Sequence, residues 1–227
     1  MNTNNVKGNF IIKFLNESRK TIIPSNVNTV LLLGIMVFES GWGNSPIAKL
    51  ANNYTGTKAN KNFTGKVYCN NKIYDSYDLA PKKSVKYKYY TSMRECIFDY
   101  CKLMQTNRYK PVVEAKSIIE AANNLVTCGY CPDKQYSRYL LEIIISNDLF
   151  NVLGKPFEQF DIVVIYTGKD GVNIRTTPSI KDDNNIKTVV YYGTKLTVVG
   201  YENGMYKLNN GYYISSNTNL VDYCFNI

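Results

Sequence analysis

An apolar run, Val30–Phe38, leads directly into Glu39-Ser40-Gly41-Trp42-Gly43, and this stretch is the strongest indication of the fold of the N-terminal half. The run is well short of the roughly 20 residues that span a bilayer, so it predicts a helix buried in a globular core. The two glycines that follow Glu39 predict a sharp turn. A carboxyl group is therefore expected at the C-terminal end of a buried helix.

Burial at such a position favours the protonated form of Glu39, because a charged carboxylate loses its hydration there. A carboxylic acid that stays protonated near neutral pH can donate a proton to the leaving oxygen of a glycosidic bond. The alternative is that Glu39 only ends the helix. That alternative is weak, because the helix dipole disfavours a negative charge at a C-terminus.

Helical periodicity extends over most of residues 9–150. Apolar residues recur at three- and four-residue spacing in Val27–Phe38, Met93–Met104, Ser117–Val126 and Tyr136–Leu149. Between the first two segments lies a stretch rich in tyrosine and lysine, Thr55–Tyr90. Its alternating segments flank Asn70-Asn71 and predict a small β-hairpin lobe.

The pattern changes near residue 155, where Gly154 and Pro156 end the helical half. Short β-rich runs separated by turn residues follow, at Ile162–Tyr166, Val172–Arg175, Thr188–Tyr191, Lys195–Tyr201, Met205–Leu208 and Tyr212–Ser215. Short strands at this spacing predict a small all-β barrel. The predicted domains are residues 1–153 and 158–227.

Three blocks of the first half resemble the glucosaminidase family of peptidoglycan hydrolases, glycoside hydrolase family 73. The first is Glu39–Gly43 followed by Ser45-Pro46-Ile47-Ala48 and Asn53–Lys58, similar to the family's E-S-G-W-G, S-x-L-A and N-x-x-G-x-K. The second is Tyr87–Ser92 with Glu95, and the third is Gly129–Tyr136, similar to G-Y-x-x-D-x-x-Y. Their order over most of the helical half makes the resemblance specific.

The resemblance implies an α+β, lysozyme-like helical catalytic domain with a small β-lobe, in which Glu39 is the general acid. It also implies that a tyrosine of the third block, Tyr130 or Tyr136, reaches the catalytic cleft, although either could instead pack in the core. The residues it implies for substrate binding are Ser40, Trp42, Asn53, Gly56, Lys58, Tyr90, Ser92 and Asp133.

The sequence departs from the family at the second carboxylate, which is often found in the β-lobe just before an N-G turn. Aligning Asn70-Asn71 with that turn places Val67 at the position, and Asp75 and Asp78 lie further along. Without a second protein carboxylate, the 2-acetamido group of the substrate sugar can attack the anomeric carbon itself.

The C-terminal half resembles a bacterial SH3-like cell-wall-binding module. The resemblance rests on Gly171–Pro178, which is similar to L-N-V-R-x-x-P, and on Tyr192–Lys195, Asn203–Lys207 and Gly211–Ile214. Met205 stands where the family usually has tryptophan. Tyrosines of this half, such as Tyr191, Tyr192 and Tyr212, are candidates for stacking on sugars or peptide stems, or for packing in a small core.

The net charge of +9 and the pI of about 9.1 predict attraction to polyanions, which include nucleic acid, anionic lipids and the anionic polymers of bacterial walls. No nucleic-acid-binding motif accompanies the charge, so nucleic acid is not a predicted partner. The predicted partner is bacterial peptidoglycan, with anionic wall polymers as a further candidate. The chain is expected to be a monomer without a transmembrane segment.

The chain has no histidine and six cysteines. The lack of histidine excludes Cys/His zinc sites and His-based catalytic triads. Cys128 and Cys131 have C-x-x-C spacing, and Cys96 and Cys101 could complete a four-thiolate zinc site. Reduced structural thiols are the preferred interpretation, so no metal or cofactor is predicted.

The leading functional hypothesis is a peptidoglycan hydrolase that cleaves the β-1,4 bond after N-acetylglucosamine. A muramidase or lytic transglycosylase of related fold is an alternative, and a non-catalytic wall-binding protein is another. Residues 1–20 lack the continuous apolar segment of a secretory signal. We therefore expect a phage endolysin made in the host cytoplasm that acts on the wall after release, rather than an exported autolysin.

Overall fold

The computed structural model describes residues 3–224, in two compact units that divide between Ile143 and Ile144. This division lies earlier in the chain than the predicted end of the first domain at residue 153. The predicted domain bounds remain a prediction, and their outer ends, residues 1 and 227, lie outside the described residues.

The first unit is mainly helical, as predicted. Its helices are α1 (Thr3–Arg19), α2 (Thr29–Ser40), α3 (Pro46–Ala51), α4 (Met93–Met104), α5 (Lys110–Val113), α6 (Ile118–Thr127) and most of α7 (Tyr136–Ser146), with a 3₁₀ turn at Asn107–Tyr109. Helix α8 (Leu149–Val152) belongs to the second unit. Residues Val30–Val37 of α2 are all buried, which confirms the core helix predicted from the apolar run.

Short polar side chains begin the helices that surround the core. Asn28 accepts hydrogen bonds from two amides of the first turn of α2, and Ser45, Ser92 and Ser117 cap α3, α4 and α6 in the same way. Each such cap contributes about 1 kcal/mol. At the other end of α2, Gly41 adopts the left-handed conformation that terminates the helix next to Glu39.

The β-lobe is a three-stranded antiparallel sheet in the order β2-β1-β3, formed by β1 (Val67–Cys69), β2 (Lys72–Tyr74) and β3 (Tyr87–Lys88). Asn70 and Asn71, with φ of 49° and 61°, form the tight turn between β1 and β2. Consecutive left-handed residues at a two-residue turn match the twist of a hairpin. The small β-lobe predicted from the sequence is therefore confirmed.

The second unit contains one seven-stranded antiparallel sheet. Its strands are β4 (Phe160–Val164), β5 (Val172–Arg175), β6 (Ile186–Val190), β7 (Lys195–Glu202), β8 (Met205–Leu208), β9 (Tyr213–Ser215) and β10 (Val221–Tyr223), in the order β10-β4-β7-β8-β9-β5-β6. The sequence predicted the first six and missed β10, which is only three residues long.

Arg175 has a structural role in the run Gly171–Pro178, which is similar to L-N-V-R-x-x-P. Its guanidinium is buried and donates to the Asp182 carbonyl and to Asn185 Oδ1, at 2.9 and 2.6 Å. Asn185 in turn donates to Thr177 Oγ1 and to the Ser179 carbonyl, both at 2.8 Å. Arg175 and Asn185 therefore hold the long connection between β5 and β6 from inside.

No helix within residues 3–224 is long and apolar enough to cross a membrane. All six cysteines are free thiols. Across the described part of the chain, no group of three or more Cys, Asp or Glu side chains is arranged to hold a metal ion.

Candidate active site

Glu39 lies in the last turn of α2, half-buried, at the point where Gly41 turns the chain. Burial raises the pKa of its carboxyl group, and the nearby Tyr136 hydroxyl and Lys58 ammonium lower that pKa by less. The net effect favours a protonated carboxyl group. Glu39 thus has the property that general acid catalysis requires.

Gly56 closes over this carboxyl group. Its φ of +64° is accessible to glycine at little cost, and a Cβ added to it would lie 3.0 Å from Glu39 Oε2. A side chain at position 56 would therefore press on the acid. This explains why glycine occupies the fourth position of the block Asn53–Lys58, and it places Gly56 beside Glu39, next to where a substrate would be bound.

Tyr136, at the start of α7, is only 1% exposed; its hydroxyl makes no hydrogen bond of good geometry within the described residues, but it lies near enough to the Glu39 carboxyl group to lower the pKa of that group. Its ring packs edge-on against Phe38, with centroids 5.3 Å apart. Burial and the nearby Tyr130 and Glu39 raise its pKa, so it stays a neutral hydroxyl. A buried hydroxyl without a well-formed hydrogen bond is costly. It can donate to a substrate atom held beside Glu39.

Tyr130 lies next to Tyr136, with ring centroids 6.0 Å apart, but its hydroxyl is already engaged. It donates to the Thr55 carbonyl at 3.0 Å and so ties the third block to the loop that contains Gly56. Of the two tyrosines predicted to be catalytic, Tyr136 has its hydroxyl near Glu39, whereas the Tyr130 hydroxyl binds the loop; a catalytic role for either stays a prediction.

Trp42 is half-buried and has φ of 59°, between Gly41 at 54° and Gly43 at 76°. A large side chain in the left-handed region is unfavourable and persists only when its surroundings hold it. Here Phe10 contacts the indole edge-on with centroids 6.0 Å apart, and the Lys7 ammonium lies 5.0 Å from the indole ring.

Two residues predicted to bind substrate, Ser40 and Asn53, are both 0% exposed, and their side chains bind backbone groups. The Ser40 hydroxyl donates to the Met36 carbonyl and accepts from the Gly43 amide. Asn53 donates to the carbonyls of Thr57 and Lys88 and accepts from the Thr57 amide. They fix the two loops beside Glu39, and a direct contact with substrate stays a prediction.

The side chains of the second block also make hydrogen bonds within the protein, and their predicted contact with substrate stays a prediction. Tyr90 is buried and donates to Asp99 at 2.7 Å, while Ser92 caps α4. Glu95 accepts from the amide and hydroxyl of Thr91, as expected for a structural partner. Among the remaining predicted substrate-binding residues, Lys58 and Asp133 are exposed; Lys58 lies close enough to Glu39 to affect its pKa.

The β-lobe offers no buried carboxylate. Val67, at the expected position of the second acid, is fully buried in β1. The Asp75 side chain is 79% exposed and forms an ion pair with Lys66 at 3.1 Å. Asp78 is exposed.

Sequence reasoning missed Phe10 and Lys13 of α1, because nothing in their residue type indicates a role near Glu39.

A helical domain with a small β-lobe and a carboxyl group of raised pKa at the end of a core helix has features that a glycosidase requires. The family model of the glucosaminidases, mannosyl-glycoprotein endo-beta-N-acetylglucosaminidase, matches residues 17–149. This match covers more than half of the chain, which therefore belongs to the glucosaminidase family.

Two relatives are similar in sequence. The exo-glucosaminidase LytG of Bacillus subtilis is 28% identical over 72% of this chain and 61% of its own length. The peptidoglycan hydrolase FlgJ of Escherichia coli is 33% identical over 53% of this chain and 40% of its own length. The chain thus spans roughly half the length of the curated relatives it matches.

Two solved structures are similar in fold. A mutant of the peptidoglycan hydrolase from Sphingomonas sp. A1 superposes with a TM-score of 0.52 at 24% identity, over 64% of this chain and 94% of that chain. The catalytic domain of the autolysin Auto from Listeria monocytogenes gives 0.51 at 20% identity, over 65% and 87%. These likenesses support the lysozyme-like α+β fold predicted for the first half.

Proposed function

We propose that this chain hydrolyses the β-1,4 glycosidic bond after N-acetylglucosamine in bacterial peptidoglycan, with Glu39 as the general acid. The observation that carries the proposal is the Glu39 carboxyl group, whose pKa burial raises, lying under Gly56 and beside the Tyr136 hydroxyl. Membership of the glucosaminidase family and the name of the exo-glucosaminidase LytG support the bond, and the name of the peptidoglycan hydrolase FlgJ supports the substrate.

In this mechanism Glu39 protonates the leaving oxygen, and the substrate 2-acetamido group attacks the anomeric carbon. The exposure of Asp75 and Asp78 supports this route, because a solvated carboxylate is not held against the reacting carbon. Tyr136 is proposed to donate to the substrate near the acid. Water then opens the cyclised intermediate and the anomeric configuration is retained.

Product analysis tests the assignment against its alternatives. Purified peptidoglycan is digested with the chain, the products are reduced with borohydride, and the reduced sugar is identified. Reduced N-acetylglucosamine is expected. Reduced N-acetylmuramic acid would indicate a muramidase, anhydro products a lytic transglycosylase, and no products a non-catalytic wall-binding protein.

We further propose that the C-terminal sheet is an SH3-like wall-binding module, in a phage endolysin that reaches the wall after release. Exposed tyrosines support a binding role, since Tyr191 and Tyr192 are 57% and 68% exposed at the β6–β7 turn. The test is pelleting of the full chain with purified walls. Tyr191→Ala with Tyr192→Ala should leave more protein in the supernatant than Tyr139→Ala, whose exposed tyrosine lies on α7.

A further inference from the structure

Helix α1 lies almost entirely before the segment that matches the family, residues 17–149, yet it contacts both loops beside Glu39. Three of its residues, Lys7, Phe10 and Lys13, stand three positions apart and therefore share one face of the helix. This face is called the α1 face below. It meets the turn at Gly41–Asn44 and the loop at Asn52–Gly56.

Phe10 joins the two loops. Its ring, only 5% exposed, packs edge-on against Trp42 and Tyr54, with centroid separations of 6.0 and 5.9 Å. The fit is close, because a Cβ added to Gly43 would lie 3.0 Å from the Phe10 ring. Glycine at position 43 therefore makes room for Phe10 in addition to allowing the turn.

Lys13 fixes the second loop. Its ammonium group donates to the Tyr54 hydroxyl at 2.7 Å, and that hydroxyl approaches Asn52 Oδ1 at 3.4 Å. Tyr54 is two residues before Gly56, which covers the Glu39 carboxyl group. Lys7 acts on the first loop, where its ammonium lies over the Trp42 ring. Charge-assisted and cation–π contacts of this kind stabilise the positions of the side chains they join.

We propose that Lys7, Phe10 and Lys13 are positioning residues that hold Trp42 and Gly56 in place around Glu39. The physical reason is the strain at Trp42, whose left-handed backbone needs external contacts to persist. The inference rests on the proposed function for its effect on catalysis, but the contact with Trp42 is independent of it. Small displacements around a reacting centre cost large factors in rate.

The test compares full-length variants on soluble glycan strands. Phe10→Leu keeps an apolar side chain but removes the ring, and Phe14→Leu is the matched control, a core residue of the same helix that is 1% exposed. Lys13→Met removes the donor to Tyr54, and Lys13→Arg keeps one. Trp42 is the only tryptophan in the chain, so its fluorescence reports on this turn alone.

Both leucine variants are expected to lower Tm, but only Phe10→Leu should change the Trp42 emission and lower kcat, by about tenfold or more. Lys13→Met should lower kcat without a large change in Tm, and Lys13→Arg should restore it. Equal losses of kcat from Phe10→Leu and Phe14→Leu, with unchanged emission, would overturn the proposal. So would an emission change without any loss of kcat. If the unsubstituted chain cleaves no glycan, the proposed function fails, and the emission comparison still decides whether Phe10 holds Trp42.

Discussion

The carboxyl group at the end of α2 and the carboxyl groups of the β-lobe occupy opposite environments. Glu39 is half-buried on a core helix, covered by Gly56, and its pKa is raised. Asp75 is 79% exposed at its side chain and paired with Lys66 on the lobe surface. A buried acid can hold its proton near neutral pH, whereas a solvated one loses it. The difference supports the proposal that Glu39 is the proton donor.

The supports of the two regions differ as well. The loops beside Glu39 are fixed by the buried side chains of Ser40 and Asn53, which bind backbone groups. The lobe acids have only a surface ion pair, which contributes about 0–1 kcal/mol. A preorganised acid on a rigid element and solvated acids on a lobe favour chemistry with one protein carboxyl group.

The largest expected effect comes from Glu39→Gln, which keeps the shape of the side chain and removes its proton. Wall lysis in a turbidity assay should fall by about 10²- to 10⁴-fold. Circular dichroism should show an unchanged fold. Near-normal lysis by this variant would show that Glu39 is not the general acid and that it does not differ in role from the acids of the β-lobe.

Glu39→Gln should also change the stability of the protein in a pH-dependent way, because folding raises the pKa of Glu39. Ionising a carboxyl group whose folded pKa is raised costs stability, so the cost is absent below the unfolded value of 4.5 and complete above the folded pKa. Glu39→Gln should therefore raise Tm at alkaline pH more than at pH 4. Hydrolysis by the unsubstituted chain should fall as pH rises through the same folded pKa. A Tm difference that does not change with pH would contradict the raised pKa.

The next effect separates the two tyrosines. Tyr136→Phe removes a buried hydroxyl that lies near Glu39 but makes no well-formed hydrogen bond, so stability should change by less than about 1 kcal/mol, while the rate falls by about 10- to 100-fold. Tyr130→Phe removes the hydrogen bond to Thr55 and should cost about 1 kcal/mol of stability with a smaller loss of rate. Thermal melts and kcat on soluble glycan measure both, and the reverse pattern would exchange their roles.

Gly56→Ala should press a methyl group against Glu39 Oε2 and lower the rate by about tenfold, with a stability loss of about 1–2 kcal/mol from the left-handed backbone. Gly154→Ala is the matched control, because Gly154 has φ of +60° and nothing within 4 Å of an added Cβ. It should show the backbone cost without the loss of rate. If both variants keep full activity, the cover over Glu39 is not needed for catalysis.

The smallest effect is expected in the lobe, where Asp75→Asn and Asp78→Asn should each lower the rate by less than about tenfold. Proton NMR of the first-formed anomer completes the comparison. A β-configured product is expected from attack by the acetamido group. An α-configured product would mean inversion, and a larger loss in either variant would then identify the base that activates water.

Much of the fold could be predicted from the sequence, because its signals are local. The apolar run Val30–Phe38 and the periodicity of Met93–Met104 gave helices with nearly the observed bounds. Asn70-Asn71 gave the hairpin turn, since both residues tolerate the left-handed region. Strand β10 was not predicted, because a strand of three residues is too short to show an alternating apolar pattern.

The sequence also predicted Glu39 as the acid, from a carboxyl group that follows a buried helix and precedes a glycine turn, and the structure adds the burial that raises its pKa. The sequence did not show which polar residues of these motifs have buried side chains and which are exposed to a substrate. Ser40 and Asn53 belong to the same motifs as Glu39 and Gly56, yet their side chains turn inward to satisfy backbone groups. These inward orientations depend on tertiary structure. So do the contacts of Phe10 with Trp42 and of Lys13 with Tyr54. The physical reason is that burial and hydrogen-bond satisfaction depend on segments distant in the chain, which no local pattern encodes.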